Sequence, residues 1–282
     1  MNLLSWNCRG IGNAPTVQEL RELADKFAPK VLCIMETQIN GVRAGNLKSN
    51  LGYDNSFVVD SSGRSGGLAI FWNNEIKIEV LGYSKYHIDG KISGLGEQSW
   101  RLSCFYGEAR THLRQHTWDT MKILSTLQDM SWVCLGDFNE VLKHDEHDGI
   151  GSRSQSQIQG FRDAVDVCGL VDLGFKGTRW TYEKRVEGGS YTRVRLDRAL
   201  GSVDWCGLFP AASVEHLTAA TSDHSPVLLQ LSHPNGGKKK KNQFRYEVMW
   251  DTHPELKSTI QSAWESNSHN LMCMKCVLIS RH

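Results

Sequence analysis

The stretch "CLGDFNEVL", Cys134–Leu142, sets a polar end on an apolar run. With the preceding "SWV" it has the content of a buried strand. Asp137 and Asn139 follow at once, and both are residue types that strands avoid. Two apart in an extended chain, they point to one side, while Phe138 between them points to the other side, into packing. A strand that delivers a carboxylate and an amide together suggests a site at a sheet edge. Taken alone, Gly-Asp-Asn also reads as a plain turn.

The pattern recurs. Asn7 follows "LLSW", Glu36 follows "VLCIM" and Tyr106 follows "LSCF". Asp197 sits in "VRLDRAL", and Asp223-His224 precede "SPVLL". Each could be a cap or a solvated loop residue, but their repetition at the ends of apolar runs is what a composite site would require.

Strand-like runs occupy 2–7, 31–35, 55–59, 67–73, 75–82, 100–106, 131–136, 179–183, 191–200, 212–218 and 226–231, mostly bounded by Gly, Asn, Asp or Pro. Helical periodicity is confined to a few places. Val17, Leu20, Leu23 and Phe27 come after Pro15-Thr16; Trp118, Met121, Leu124 and Leu127 mark a second helix; Ile158, Phe161 and Val165 mark a third. Strands outnumber helices and do not alternate with them, which disfavours a doubly wound parallel sheet. The expected class is α/β in the α+β sense: two mostly antiparallel sheets flanked by helices.

The 282 residues are 40% hydrophobic, enough for one large core with an appendage. The domain is expected to span 1–232, succeeded by a lysine-rich linker at 233–243 and a partial helical tail at 244–282 carrying Leu256, Ile260 and Trp264. Lys+Arg number 32 and Asp+Glu 31, so a nucleic-acid surface would have to be a local basic patch. No run approaches the length of a membrane span, and "MNLLSWNCRG" lacks a secretory signal. The protein is therefore expected to be intracellular, without membrane attachment, with its eight cysteines as reduced thiols.

In order and spacing, "SWNCRG" (5–10), "MET" (35–37), "FYG" (105–107), "GDFNEVL" (136–142), "RLDR" (195–198) and "SDHSPV" (222–227) resemble the endonuclease/exonuclease/phosphatase superfamily. The nearer resemblance is to the apurinic-endonuclease-like domain of plant LINE-type non-LTR retrotransposons. It covers roughly residues 1–265, and "FRYEVMWDTHPEL" also looks like the segment between that domain and the reverse transcriptase in such elements. It implies a four-layer sandwich with the site where the inner sheets meet.

By resemblance, Glu36 binds metal with Asn7 beside it. Asp137 orients and deprotonates the attacking water, and Asn139 holds that water or a phosphate oxygen. His224, paired with Asp197, donates to the scissile phosphate. Asp223 helps bind metal or stabilises the leaving oxygen, and Tyr106 donates its phenol to phosphate. The oxygen-rich donor set suits Mg²⁺, with Mn²⁺ as a substitute. Many relatives carry Asp or Asn two residues after the first Asn, but this chain has Arg9, which weakens a two-metal site and offers a phosphate contact instead.

Residues 176–198 hold seven Lys/Arg and three Asp/Glu around an "EGGS" turn. They read as a basic hairpin in which Lys184, Arg185, Arg193 and Arg195 would touch a DNA backbone. "HDEHD" (144–148) reads as a solvated acidic loop, Cys273 and Cys276 as a lone CxxC, and Lys238–Lys241 as a linker or nuclear signal. The expected activity is Mg²⁺-dependent nicking of one DNA strand by a monomer, leaving a 3′-hydroxyl. The alternatives are a phosphatase of inositol phosphates or another small phosphoester, and a non-catalytic retroelement remnant that binds DNA.

Overall fold

The computed structural model describes residues 1–39, 41–61, 66–94, 96–127, 129–149, 151, 153–185 and 191–231. The linker, the tail, the lysine run, the CxxC pair and the "EGGS" tip lie outside them. In chain order the elements are β1 Asn2–Asn7, α1 Ala14–Phe27, β2 Val31–Met35, α2 Gly41–Asn50, β3 Asn55–Val59, β4 Leu68–Trp72, β5 Lys77–Ser84, β6 His87–Gly94 and β7 Gly96–Tyr106. Then come α3 Gln115–Leu127, β8 Trp132–Asp137, β9 His147–Asp148, α4 Gln155–Val167, β10 Leu170–Asp172, β11 Lys176–Gly177 and β12 Tyr182–Arg185. The last are β13 Tyr191–Val194, β14 Asp197–Ser202, α5 Val203–Leu208, β15 Ser213–His216 and β16 Val227–Gln230.

Two large sheets form the frame. One runs β11-β15-β16-β1-β2-β4-β3, the other β10-β14-β8-β7-β6-β5, and a small third sheet runs β12-β13-β9. Most pairings are antiparallel; β1 with β2, β7 with β8 and the short β11 with β15 are parallel. Side-chain alternation sorts the apolar residues into layers. Leu3, Val31, Cys33 and Met35 of the first sheet join Leu102, Cys104, Val133, Leu135 and Ala199 of the second in one buried core between the sheets. Leu4, Trp6, Leu32 and Ile34 point the other way and pack under α1 and α2, against Leu20, Leu23, Ala44 and Leu47. Phe105, Cys134 and Leu200 pack under α3 and α4, against Trp118, Met121, Phe161 and Ala164. The result is a helix–sheet–sheet–helix sandwich, as expected.

Local chemistry fixes the helix ends. Asn13 caps α1 by accepting from the Thr16 N–H, and Ala28 ends it in the left-handed region at φ 42°. Ser154 and Gln157 form a reciprocal capping box on α4. Several expectations are corrected. Leu127 is 62% exposed at the last turn of α3, so it is not a core residue. The run 191–200 is two strands, because the chain turns at Arg195-Leu196 between two different sheets. Strand β6 went unread because Asp89 interrupts its apolar pattern. That carboxylate is buried against Arg101 at 2.9 Å and accepts from Ser103 at 2.6 Å, so its charge is matched inside the sheet.

Cys33 on β2 and Cys104 on β7 both point into the core between the sheets, where their sulfurs face each other, with Cα atoms 6.4 Å apart. Cys8 and Cys134 are buried thiols, and Cys168 is a half-buried one. Among the described residues, no helix is long and apolar enough to cross a membrane.

Candidate active site

Strand direction and alternation together assemble the site. In β1, Leu3 faces the core between the sheets, so Asn7, four residues on, faces it too. The same parity carries Val133 and Leu135 to Asp137, Leu102 and Cys104 to Tyr106, and, running backwards along β14, Ala199 to Asp197. The parallel pairs end together: Asn7 lies opposite Met35, just before Glu36, and Tyr106 lies opposite Asp137. The antiparallel neighbour β14 starts there, with Asp197 directly opposite Asp137. His224 lies three residues before β16, which pairs antiparallel with β1. Six strands thus deliver polar residues to one end of the cleft between the sheets.

On one side lie three buried groups. His224 Nδ1 is 2.8 Å from Asp197 Oδ2 and 3.9 Å from Asp137 Oδ2. Burial opposes a charged imidazole, but Asp197, then Asp137, outweigh it and raise the His224 pKa to about 9. Asp137 is raised to about 6, by burial first and then by the Asp197 charge. It accepts hydrogen bonds from Asn7 Nδ2 at 3.0 Å, from the Asn139 N–H at 2.8 Å and from Asn139 Nδ2 at 3.2 Å. Asn139 Nδ2 also donates to the Gly107 carbonyl at 2.8 Å.

On the other side lies Glu36. Its Oε1 accepts from the Tyr106 hydroxyl at 2.8 Å and from Asn7 Nδ2 at 3.2 Å. Asn7 therefore links the two halves of the site. Burial first, and then the Glu36 charge, push the Tyr106 phenol upward, so it is a donor at neutral pH. Arg9 spans the mouth: Nε is 3.6 Å from Glu36 Oε2 and Nη1 is 3.3 Å from Asp223 Oδ2. Arg9, Glu36 and Asn139 all sit in the left-handed region, at φ 51°, 50° and 54°, a cost of roughly 1–3 kcal/mol each that the surrounding structure must hold.

Asp137, Asp197 and His224 bring their ligand atoms within 4.8 Å of one another. An imidazolium has no lone pair for a metal, however, so this trio fits proton chemistry better. Glu36 and Asp223 fit a divalent cation. Both are hard oxygen donors at the cleft mouth, and Asp223 Oδ1 is a buried oxygen with no hydrogen-bond partner.

Two positioning groups were not read from the sequence. Thr181 Oγ1 accepts from the backbone N–H of both Leu196 and Asp197, each at 2.9 Å, and so fixes the turn that presents Asp197. Ser222 Oγ donates to the Asn7 carbonyl at 2.8 Å and accepts from the His224 N–H at 3.1 Å. Thr181 in "RWTY" carries no pattern that marks it, and Ser222 opens "SDHSPV" without anything that assigns its hydroxyl a role.

The expected DNA contacts divide. Lys184 and Arg185 are exposed on β12, whose base meets the site: Tyr182 bridges to His224, with ring centroids 5.0 Å apart, and the Glu183 N–H donates to the Asp223 carbonyl at 2.9 Å. Arg193 is partly exposed, 3.8 Å from both Asp148 and Glu183. Arg195 is corrected. It is buried, 2.8 Å from Glu146 and 2.7 Å from Asp172, and shares both carboxylates with buried Arg198. The reading of "HDEHD" as solvated is corrected at Glu146, which is buried because this pair of arginines needs its charge.

The sequence profile described as "Endonuclease/Exonuclease/phosphatase family" matches residues 4–224. No curated protein matches the chain. Among solved structures, an AP endonuclease from Archaeoglobus fulgidus superposes with TM-score 0.65 at 16% identity, covering 83% of this chain and 100% of that one. The endonuclease domain of TRAS1, a telomere-specific non-LTR retrotransposon, gives 0.62 at 14%, with 83% and 99% covered. A 3′ phosphatase from Neisseria bound to a product DNA hairpin gives 0.63 at 16%, with 83% and 100% covered. These similarities bear on the fold.

Proposed function

The chain belongs to the Endonuclease/Exonuclease/phosphatase family, whose named activities all hydrolyse phosphoesters, and on that premise we propose that it is a Mg²⁺-dependent DNA endonuclease that nicks one strand and leaves a 3′-hydroxyl. The observation that carries this reading is the join between chemistry and surface. His224, held by Asp197 at 2.8 Å, is bridged by Tyr182 at the base of a hairpin whose exposed arm carries Lys184 and Arg185. A phosphodiester at His224 would have its flanking backbone beside those cations. The plant LINE-type origin rests on the motif resemblance alone.

In this reading Glu36 and Asp223 hold the divalent ion, which when bound neutralises charge on a phosphate oxygen. Mn²⁺ would substitute. Asn7 orients Glu36 and Asp137 at once through its Nδ2. Asp137, with a pKa of about 6, is ionised at neutral pH yet basic enough to take a proton from water. Asn139 fixes the Asp137 carboxylate through its Nδ2, which also donates to the Gly107 carbonyl, and leaves its Oδ1 to accept from the water. Asp197 occupies Nδ1 of His224, which leaves the Nε2 proton for a phosphoryl oxygen as charge develops. The Tyr106 phenol supplies a second donor, and Arg9 a third at the mouth.

Supercoiled plasmid incubated with Mg²⁺, and in parallel with chelator, tests the proposal. Conversion to open circles that stops in chelator supports it. A protein that leaves plasmid intact with every divalent ion but releases phosphate from an inositol phosphate would replace it with the small-phosphoester reading. Binding of DNA without cleavage of either substrate would point to a non-catalytic remnant.

A further inference from the structure

We propose that Arg9 is a tethered cation of the metal site, neutralising Glu36 and Asp223 in the metal-free protein and giving up their oxygens when a divalent ion binds. The inference rests on the reading of Glu36 and Asp223 as the metal-binding pair. One guanidinium spans carboxylates from two distant parts of the chain, with Nε 3.6 Å from Glu36 Oε2 and Nη1 3.3 Å from Asp223 Oδ2. Neither contact reaches the ~2.7–2.9 Å of a strong charge-assisted hydrogen bond. The arginine side chain is also 48% exposed, so it can leave into solvent without breaking packing.

The anchor beneath the side chain is firm, however. Arg9 sits at φ 51°, and its N–H donates to Asn7 Oδ1 at 3.2 Å, which ties the root of the guanidinium to the residue that also orients Glu36. Asp223 Oδ1 stays buried without a hydrogen-bond partner, so Arg9 answers only one oxygen of that carboxylate. The pairing balances charge but does not fill the coordination capacity of the site, which is what a displaceable counter-ion requires.

Charge decides the consequence. Two carboxylates with one guanidinium sum to −1, so the mouth as built suits one divalent ion rather than two. That ion must first displace Arg9. Removing the guanidinium should therefore tighten metal binding by about tenfold, the order expected for one unit charge several ångströms from a divalent ion in partly solvated surroundings. Once displaced, Arg9 is free to meet a phosphate at the mouth.

Mn²⁺ binding to the full chain without DNA tests this. It is read by electron paramagnetic resonance of free Mn²⁺ and by the Mn²⁺-induced rise in melting temperature. Wild type should bind one ion. Arg9→Ala should bind about tenfold tighter and show a larger melting shift, and Arg9→Lys should return toward wild type. Arg9→Gln gives the same reading should the alanine variant fail to fold. Equal or weaker binding by the uncharged variants would overturn the inference while leaving the metal site standing. Absence of Mn²⁺ binding in every variant, or binding unchanged by Glu36→Gln, would overturn the metal-site reading and this inference with it.

Discussion

Replacing Arg195 with alanine should destabilise the fold without weakening the grip on DNA. Arg195 donates three hydrogen bonds of 2.7–2.8 Å, one to Glu146 and two to Asp172, and its guanidinium lies 4.6 Å from the Phe175 ring centroid. Burial opposes the Asp172 charge, but Arg195, then Arg198, hold its carboxyl at about 2 instead of 3.8. That difference corresponds to about 2 kcal/mol. Breaking a buried pair from one side costs roughly 3–5 kcal/mol, because the other charge stays behind. Arg198 remains to answer both carboxylates, so the expected loss is about 3 kcal/mol. A depressed carboxyl pKa stabilises the fold above pH 3.8, and that contribution fades as pH falls through about 2. Urea denaturation should therefore show the full gap between wild type and variant at pH 7 and a shrinking gap below pH 4. DNA affinity measured across salt concentrations should keep its slope. A variant as stable as wild type with a shallower salt slope would mean that Arg195 faces DNA and that the buried quartet is misread.

Three further outcomes are expected. Lys184, Arg185 and Arg193 replaced together by alanine should lower the salt dependence of DNA binding by roughly 0.9 for each phosphate they no longer neutralise, with cleavage of a small phosphodiester unchanged; an unaltered slope would reduce the hairpin to a solvated surface. Thr181→Val leaves two buried N–H groups unsatisfied and should cost about 2–4 kcal/mol together with most of the turnover, while Thr181→Ser restores both because it restores the oxygen. A chain ending at Ser232 should unfold in one cooperative calorimetric transition, since β16 ends at Gln230; a broad, non-cooperative melt would make the tail part of the core.

The legible part of the site was the part that violates strand chemistry. Asn7, Glu36, Tyr106, Asp137 and Asp197 each interrupt an apolar run, and a polar group at the end of a buried strand signals itself. The sandwich was readable for a related reason: alternation along β2 and β8 serves two cores at once, so those strands are apolar on both faces. What stayed hidden depends on partners far away in sequence. Arg195 looks like Lys184 within a basic run, and only Glu146 and Asp172 reveal that it is internal. Thr181 acts through one oxygen on two N–H groups, which leaves no periodic trace. Asp89 concealed β6 because its counter-charge, Arg101, lies on the next strand. The Cys33–Cys104 contact needs both sheets in place before either cysteine is special.

The most direct measurement is the chemistry of the DNA end. Supercoiled plasmid would be treated with the protein and Mg²⁺, then offered to a DNA polymerase with labelled nucleotides and no other processing. Open circles that take up label at the nick are expected, with both nicking and label lost in chelator and in Asp137→Asn. Open circles that cannot be extended would refute the 3′-hydroxyl product. Undiminished nicking by Asp137→Asn would contradict the site itself.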